Sequence, residues 1–375
     1  MNSRRKLTVL TFACLAASAC DSYSGGNSGG NSGGDSGGDS GGGGVEAGSG
    51  LRSGDGYSVE AALAELPASV GTDGLLIQTA DLAAATELSG LERPTGFGID
   101  ELSGWILPLT GVEAEDQPVA PVFVPLAEVF NRQQIARIEE FDEELGWSLV
   151  DVDAFVEQST PPERFAVLSG EFDDDMLSPD LTQVSDDVAS AGDGEDFAPT
   201  FADVSAARPL GVPLRMSQDG GRIAASPSTS FVEEWVAGAA DTLADDDSLA
   251  LVASALDNAD VVAAVLSNGG LEPTTDSFDT VGIGWAVDGD GAAAVTVVYH
   301  FEEGDAAAAG VGMFESLYTE GVSLVTGTAI SERLTLEEVG ADGPVVVVSL
   351  SLPAESEPGI VFEMLLQRDL PFVQQ

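Results

Sequence analysis

A tract rich in glycine and small polar residues limits which part of this chain can fold. Residues 21–50 repeat the pattern Gly-Gly-Asn/Asp-Ser and show no periodic spacing of apolar side chains. Such a tract cannot bury enough apolar surface to offset the conformational entropy lost on folding, so we expect a disordered linker with a reach on the order of 30 Å. The globular part is therefore predicted to be residues 51–375, which are numerous enough to bury a core of their own.

The residues before the linker have the layout of a secretory signal peptide. A basic start at Arg4–Lys6 precedes the apolar stretch Leu7–Ala19, which ends in small residues. This stretch is shorter than the roughly 20 residues that a membrane-spanning helix needs. We therefore expect residues 1–19 to be removed during export, and Cys20 follows them directly.

The run Leu15–Cys20 resembles the lipobox of bacterial and archaeal lipoproteins, with Ala17 at a position where that family usually carries leucine. The resemblance implies that Cys20 becomes the lipid-modified first residue of the mature protein. The protein would then be anchored to membrane lipid through Cys20, on the extracytoplasmic face of the cell membrane. Residues 20–50 would consist of this lipidated cysteine and the disordered linker. A plain signal peptide cleaved nearby, with an unmodified Cys20, is the alternative.

The globular part is similar to a group of uncharacterised extracytoplasmic lipoproteins from high-GC Gram-positive bacteria. The similarity rests on Leu66-Pro67 near its start and on Arg368–Phe372 at its end. Because it includes no catalytic motif, it implies no catalytic, cofactor-binding or metal-binding residues.

Acidic residues far outnumber basic ones. The chain has 64 Asp and Glu against 13 Lys and Arg, and removal of residues 1–19 leaves 10 basic residues and a formal charge of −54. Such a field repels nucleic acid, which is therefore excluded as a partner. We interpret the charge as adaptation to high salt, where counterions screen self-repulsion. An acidic surface protein from an ordinary high-GC organism is the alternative.

Several kinds of reactive side chain are missing from the mature chain. Cys14, the only other cysteine, lies in the segment predicted to be removed, and Lys6 is the only lysine. The globular part therefore has no disulfide, thiol nucleophile, P-loop lysine or lysine-bound cofactor. With His300 as the sole histidine, no usual zinc site and no cofactor are expected.

Hairpin signals in the second half of the chain predict antiparallel sheets. Three pairs of apolar runs flank glycine-containing turns at Asp219–Gly221, Asp288–Gly291 and Ala341–Gly343. Helices are predicted between them, including one that starts at the capping box Ser230–Glu233 and an alanine-rich one over 305–320. Since the chain shows no repeated strand–helix alternation and no Gly-rich nucleotide turn, we predict an α+β fold with antiparallel sheets built from hairpins and packed helices.

The spacing of apolar residues predicts further elements. Helices are expected over 126–145, ending at Gly146, and over 152–158 and 179–191. Strands are expected over 74–80, 119–124 and 360–366, and Asp81 is placed to cap a helix that runs to Leu88. Segments 165–267 and 281–366 are a candidate pair of diverged strand–helix–hairpin units, and the candidate sub-units of the globular part are 51–160, 161–270 and 271–375.

Few residues point to catalysis. Any Ser-His-Asp site would have to use His300, but this residue lies in a predicted strand, where a structural histidine is the simpler interpretation. Gly-x-Ser-x-Gly occurs three times in the linker, without the strand and helix that a nucleophile elbow requires. No catalytic residue is therefore predicted, although a pair of acid and base carboxylates would be invisible among so many acids.

Three short acidic runs offer oxygen ligands for Ca²⁺: Asp173–Asp175, Asp245–Asp247 and the pair Asp288 and Asp290. None has the spacing of an EF-hand loop. Asp247 and Asp288 also suit a helix cap and a turn, so no metal site is predicted.

These observations favour a membrane-anchored surface lipoprotein that is not an enzyme, acting as a binding or envelope-interaction module for an unidentified protein or small molecule. One alternative is the solute-binding receptor of a transporter, which needs two lobes and a cleft between them. The other is a carboxylate-dependent hydrolase, which needs two converging buried carboxylates.

Overall fold

The computed structural model describes residues 50–71, 74–112, 119–130, 135–268, 278–353 and 356–372. They all belong to one unit of the chain, Ala47–Gln375. Cys20, the expected linker and its Gly-x-Ser-x-Gly motifs lie outside the described residues. The described part contains twelve antiparallel strands and eight helices, which confirms the predicted α+β class.

The strands form a single sheet with the order β11-β12-β10-β9-β8-β1-β2-β3-β7-β6-β5-β4. Their bounds are β1 (Leu76–Asp81), β2 (Val152–Thr160), β3 (Glu163–Gly170), β4 (Thr182–Gln183), β5 (Ala189–Ala191), β6 (Leu214–Asp219), β7 (Arg222–Ser226), β8 (Ala263–Ser267), β9 (Thr280–Val287), β10 (Ala293–His300), β11 (Thr335–Asp342) and β12 (Val345–Ser351).

Helices lie on both faces of this sheet. Their bounds are α1 (Val59–Leu63), α2 (Leu82–Leu88), α3 (Ile99–Leu109), α4 (Ile138–Leu145), α5 (Thr229–Ala237), α6 (Asp247–Asp257), α7 (Gly304–Glu320) and α8 (Ile360–Leu366). Not one of these helices combines the length and the apolar character that crossing a membrane requires.

Each face of the sheet carries its own hydrophobic core. Side chains alternate along a strand, so Ala263 on β8 joins one core and its neighbour Ala264 joins the other. Helices α2, α3, α4, α7 and α8 cover the first core, and α1, α5 and α6 cover the second. Tight packing of α6 on β9 requires glycine, because a Cβ at Gly282 would lie 2.4 Å from Val252 Cγ1.

The two halves of the sheet repeat one pairing order. From the centre outward, β1 is followed by β2, β3, β7 and β6, and β8 is followed by β9, β10, β12 and β11. β1 and β8 pair at the centre, with Ile77 opposite Leu266. Two related units are therefore present in the topology, but they span 76–226 and 263–351 rather than 165–267 and 281–366. The sequence comparison left out β1, which at least three helices separate from β2, and placed β8 at the end of the first segment instead of the start of the second.

Several elements begin or end where the sequence signals place them. The three predicted hairpins are β6–β7, β9–β10 and β11–β12. The Asp81 side chain accepts a hydrogen bond from Ala84 N and caps α2, as predicted. Helix α4 ends at its C-cap Gly146, whose φ of 89° other residues rarely adopt. A Cβ added at this position would lie 2.2 Å from Met176 O.

Two predicted elements have the wrong secondary structure. Residues 152–158 form strand β2 rather than a helix, because its side chains are buried on both faces and leave no alternating pattern to read. Residues 360–366 form α8 rather than a strand, since a short apolar run fits a buried helix equally well.

Four further predictions fail in part or in full. The segment 179–191 holds the short strands β4 and β5 instead of a helix, because β5 extends the sheet beside β6. Residues 119–124 form no strand, since Val124 N instead donates to Leu109 O at the end of α3. Of the helix predicted over 126–145, the described residues include a 3₁₀ turn at Glu128–Phe130 and helix α4, while 131–134 lie outside the described residues. Helix α5 begins at Thr229, and its N-cap is Ser228, two residues before the predicted cap Ser230.

Candidate ligand-binding cleft

A cleft of about 760 Å³ lies beside the ends of strands β2, β3, β6 and β7, next to the first described residues of the chain. One side is Gly50–Ser53, called the entry segment below. The remaining lining residues are Asp153 on β2, Ser169–Gly170 at the end of β3, and Asp219–Arg222 around the β6–β7 turn. Because these residues come from four separate parts of the chain, the cleft exists only in the folded protein.

The buried Glu65 carboxylate fixes the entry segment to the sheet. Its Oε1 atom accepts a hydrogen bond from Leu51 N at 2.8 Å and one from the Arg222 guanidinium at 2.7 Å. Its Oε2 atom accepts from the indole N–H of Trp235 at 2.8 Å. Gly50 lies close to this ion pair, since a Cβ there would be 2.4 Å from Arg222 Nη1 and would require the arginine side chain to shift.

A second buried carboxylate, that of Asp81, holds the end of the entry segment. Ser53 Oγ and Gly54 N donate hydrogen bonds to its two oxygens at 2.7 and 2.6 Å. The same side chain caps α2 through Ala84 N. Asp81 therefore joins the entry segment to the start of α2, a role that the sequence indicated only in part.

Arg222 and Arg93 form three ion pairs with carboxylates beside the cleft. Arg222 bridges Glu65 and Asp219, and its guanidinium lies 5.3 Å from the ring centre of Trp235. Burial alone would lower the pKa of Arg222, but the two carboxylates raise it above its ordinary value. Asp153 accepts a hydrogen bond from Arg93 at 2.6 Å.

Arg52 differs from the other charged residues of the cleft. Among the described residues, no carboxylate lies close enough to form an ion pair with it. Its aliphatic stem lies against Gly56, where a Cβ would be 3.0 Å from the Arg52 Cβ. Arg52 is exposed and lines the cleft, and no hydrogen bond or ion pair to another described residue engages its guanidinium.

His300 lies at the end of β10 and pairs with an aspartate. Its Nδ1 atom is 2.7 Å from Asp279 Oδ1, and only 8% of the residue is exposed. Thr280 stands opposite it on β9 and bonds to Ser248 Oγ. The Asp–His half of a triad is therefore present, but no hydrogen bond links His300 to a serine or threonine hydroxyl among the described residues.

Side chains in two of the three acidic runs singled out in the sequence have local structural roles. Asp246, rather than the expected Asp247, caps α6 by accepting from Ser248 N and Leu249 N, and Asp245 accepts from Thr242. Asp288 Oδ1 accepts from two backbone N–H groups of the β9–β10 turn. In the part of the chain that the structure describes, no group of three or more His, Cys, Asp and Glu side chains is placed to hold a metal ion.

Other buried carboxylates hold backbone segments in place. Glu157 accepts hydrogen bonds from Glu128 N and Val129 N, and Asp369 accepts from Leu324 N and Leu370 N. Acid–base hydrolysis needs two carboxylates that face one substrate. These side chains instead accept hydrogen bonds from the protein's own N–H groups.

Only two local features of the sequence point to the cleft. The Asp219–Gly221 turn was recognised only as a hairpin turn, and Arg52 is one of just 10 basic residues after residue 19. No family model, curated protein or solved structure matches this chain significantly.

Proposed function

We propose that this chain is a lipid-anchored, extracytoplasmic binding protein and that the cleft receives its ligand. The observation that carries the proposal is the cleft of about 760 Å³ between the entry segment and the β6–β7 turn. Its volume lies in the range of roughly 300–1,000 Å³ that small-molecule sites occupy. Three of its four charged side chains, those of Asp153, Asp219 and Arg222, already form ion pairs without a ligand, which limits the side-chain entropy that they lose on binding.

The anchoring part of the proposal rests on the sequence before the cleft. The lipobox-like run ending at Cys20 and the glycine-rich tract after it lead directly into the entry segment. The proposed ligand site therefore begins where the expected linker ends. A membrane tether of this kind would keep a binding protein at the cell surface while leaving its cleft open to solutes.

No observation favours the two alternative functions. A transporter receptor would have a cleft between two lobes, whereas the described strands form one sheet. For a hydrolase, the buried carboxylates Glu65, Asp81, Glu157 and Asp369 already accept hydrogen bonds from backbone N–H groups. A binding role uses the cleft without requiring chemistry from them.

A cleft-filling substitution with a matched control tests the proposal. Asp219 ends β6 beside the cleft, and Asp342 ends the corresponding strand β11 in the other half of the sheet. Native mass spectrometry of the full-length protein purified from its own host should show a bound small molecule in the wild type and in Asp342→Trp. Asp219→Trp should have lost it. Equal occupancy in all three proteins, or none in the wild type, would contradict the proposal.

A further inference from the structure

We infer that the cleft selects small ligands that carry a carboxylate together with hydroxyl or ammonium donors, and that Arg52 binds the carboxylate. This inference rests on the proposed function and adds the chemical class of the ligand. It follows from how the four charged side chains of the cleft are engaged.

Arg52 is the cationic group of the cleft whose donors are available. Arg222 also lines the cleft, but its guanidinium already donates to Glu65 and Asp219. Arg52 is exposed and has no ion-pair partner in the described part of the chain. A planar guanidinium binds a carboxylate through two parallel hydrogen bonds, which sets both the strength and the direction of the contact.

The two aspartates of the cleft can accept hydrogen bonds from donors on the ligand. Asp153 uses Oδ1 for Arg93, and Asp219 uses Oδ2 for Arg222. An ionised carboxylate only accepts hydrogen bonds, so the remaining capacity of these two groups suits hydroxyl or ammonium groups. A ligand with both kinds of group therefore complements Arg52 and the aspartates together.

The net charge of the protein favours a ligand with a carboxylate over one with a phosphate. The mature chain has 64 acidic residues against 10 basic ones, so an approaching anion meets a repulsive field. A doubly charged phosphate ester experiences about twice the repulsion of a single carboxylate. A purely cationic ligand would be attracted from a distance but would meet Arg52 and Arg222 inside the cleft.

Calorimetric titration of the full-length protein tests this inference. The probes are glucuronate and alanine, which join a carboxylate to hydroxyl and ammonium donors respectively, with glucose and glucose 6-phosphate as comparisons. The variants are Arg52→Gln and the control Arg333→Gln. Arg333 lies just before β11, which is eight strands away from β7 in the sheet order.

We expect at least one carboxylate probe to bind the wild type and Arg333→Gln, and Arg52→Gln to weaken that binding by about tenfold or more. Glucose and glucose 6-phosphate should not bind under the same conditions. Failure of both carboxylate probes, or equal binding by Arg52→Gln, would overturn the inference. A co-purified molecule that lacks a carboxylate but is lost in Asp219→Trp would also overturn it, while leaving the proposed function intact.

Discussion

The buried Glu157 carboxylate accepts a hydrogen bond from the backbone N–H of Glu128 at 2.6 Å. The N–H of Val129 lies 3.3 Å from its other oxygen. Burial raises the pKa of Glu157 to about 7, and the Arg164 charge and the two N–H groups only partly oppose this effect. This buried carboxylate on strand β2 is therefore expected to change its charge near neutral pH.

We expect Glu157 to make the protein less stable as the pH rises. Its pKa when folded, about 7, exceeds its ordinary value of 4.5, so the stability it contributes is complete below about pH 4.5 and is lost as the pH rises through 7. The difference corresponds to about 3 kcal/mol. Urea unfolding between pH 5 and 8 should show a smaller loss of unfolding free energy in Glu157→Gln than in the wild type.

Glu338→Gln is the control for this measurement, because it removes one carboxylate from the exposed edge strand β11. It should keep the pH dependence of the wild type. If the wild type and both variants lost stability equally between pH 5 and 8, Glu157 would not be the titrating group.

Arg215 is a buried cation that joins three parts of the first half of the sheet. Its guanidinium donates to Asp196 Oδ1 at 2.9 Å, to Gly194 O at 2.7 Å and to Ser190 Oγ. Partial burial alone would raise the pKa of Asp196, but Thr229 and Arg215 hold it below its ordinary range. The network therefore connects β5, β6 and the start of α5 through charged hydrogen bonds.

We expect Arg215→Met to lower the unfolding free energy by about 2–3 kcal/mol, because Asp196 loses its cationic partner and Gly194 O loses its donor, although Thr229 still donates to Asp196. Arg137→Met removes an exposed arginine that pairs with Glu140 and should change stability by less than about 1 kcal/mol. Chemical unfolding of both variants at one pH compares them directly. Equal effects would show that the Arg215 network adds nothing beyond a surface pair.

The fold was predictable from the sequence where a turn or a cap marked the end of an element. The turns at Asp219–Gly221 and Asp288–Gly291 fixed two hairpins, and Asp81 fixed the start of α2. Buried apolar runs were not predictable in this way. Val152–Thr160 is covered on both faces and Ile360–Leu366 is short, so neither run shows the periodicity that separates strand from helix.

The cleft was beyond the reach of the sequence for a different reason. Its parts lie near residues 50, 153, 170 and 220, and the sheet order alone brings them together. Glu65 illustrates the difficulty, because its three donors come from Leu51, Arg222 and Trp235, on separate elements. In a chain with 64 acidic residues, nothing in its local sequence distinguishes this glutamate from its exposed counterparts.

Asp369 holds a loop that presents aliphatic side chains to solvent. Its buried carboxylate accepts hydrogen bonds from Ser323 Oγ, Leu324 N and Leu370 N, while 63% of Leu324 is exposed. Asp369→Asn should weaken these contacts, because an amide has one acceptor oxygen and no charge. Faster hydrogen exchange at Leu324 and Thr326 is the expected result. Glu320→Gln, which removes an exposed carboxylate, is the control and should leave the exchange unchanged. Unchanged exchange in Asp369→Asn as well would show that the loop does not depend on Asp369.

The predicted lipid anchor can be tested at one residue. Acyl chains attached to Cys20 would be the membrane contact of the mature protein, and stable anchoring takes two such chains or one chain with a second signal. Cys20→Ala should therefore move the protein from the membrane fraction to the soluble fraction of fractionated cells. Ser22→Ala is the control and should stay with the membrane. Retention of Cys20→Ala in the membrane fraction would mean that another segment anchors the chain.

The charge of the mature protein predicts how its stability depends on salt. With 64 acidic and 10 basic residues, folding brings carboxylates closer together than they are in the expanded chain. At about 0.01 M salt the Debye length is roughly 30 Å, so charges across much of the folded part repel one another. At about 1 M it falls to roughly 3 Å, and only immediate neighbours interact.

Native stabilities are typically about 5–15 kcal/mol, so a modest repulsive contribution is measurable. We expect the protein without residues 1–20 to unfold at a clearly higher temperature in molar KCl or NaCl than in dilute buffer. Acidification to about pH 5 should act in the same direction, because it reduces the carboxylate charge and also favours the neutral form of Glu157, whose pKa is about 7. Thermal scans across a salt series decide the matter. A melting temperature that stays constant or falls with salt would mean that the acidic side chains are compensated locally, and adaptation to high salt would then lose its physical basis.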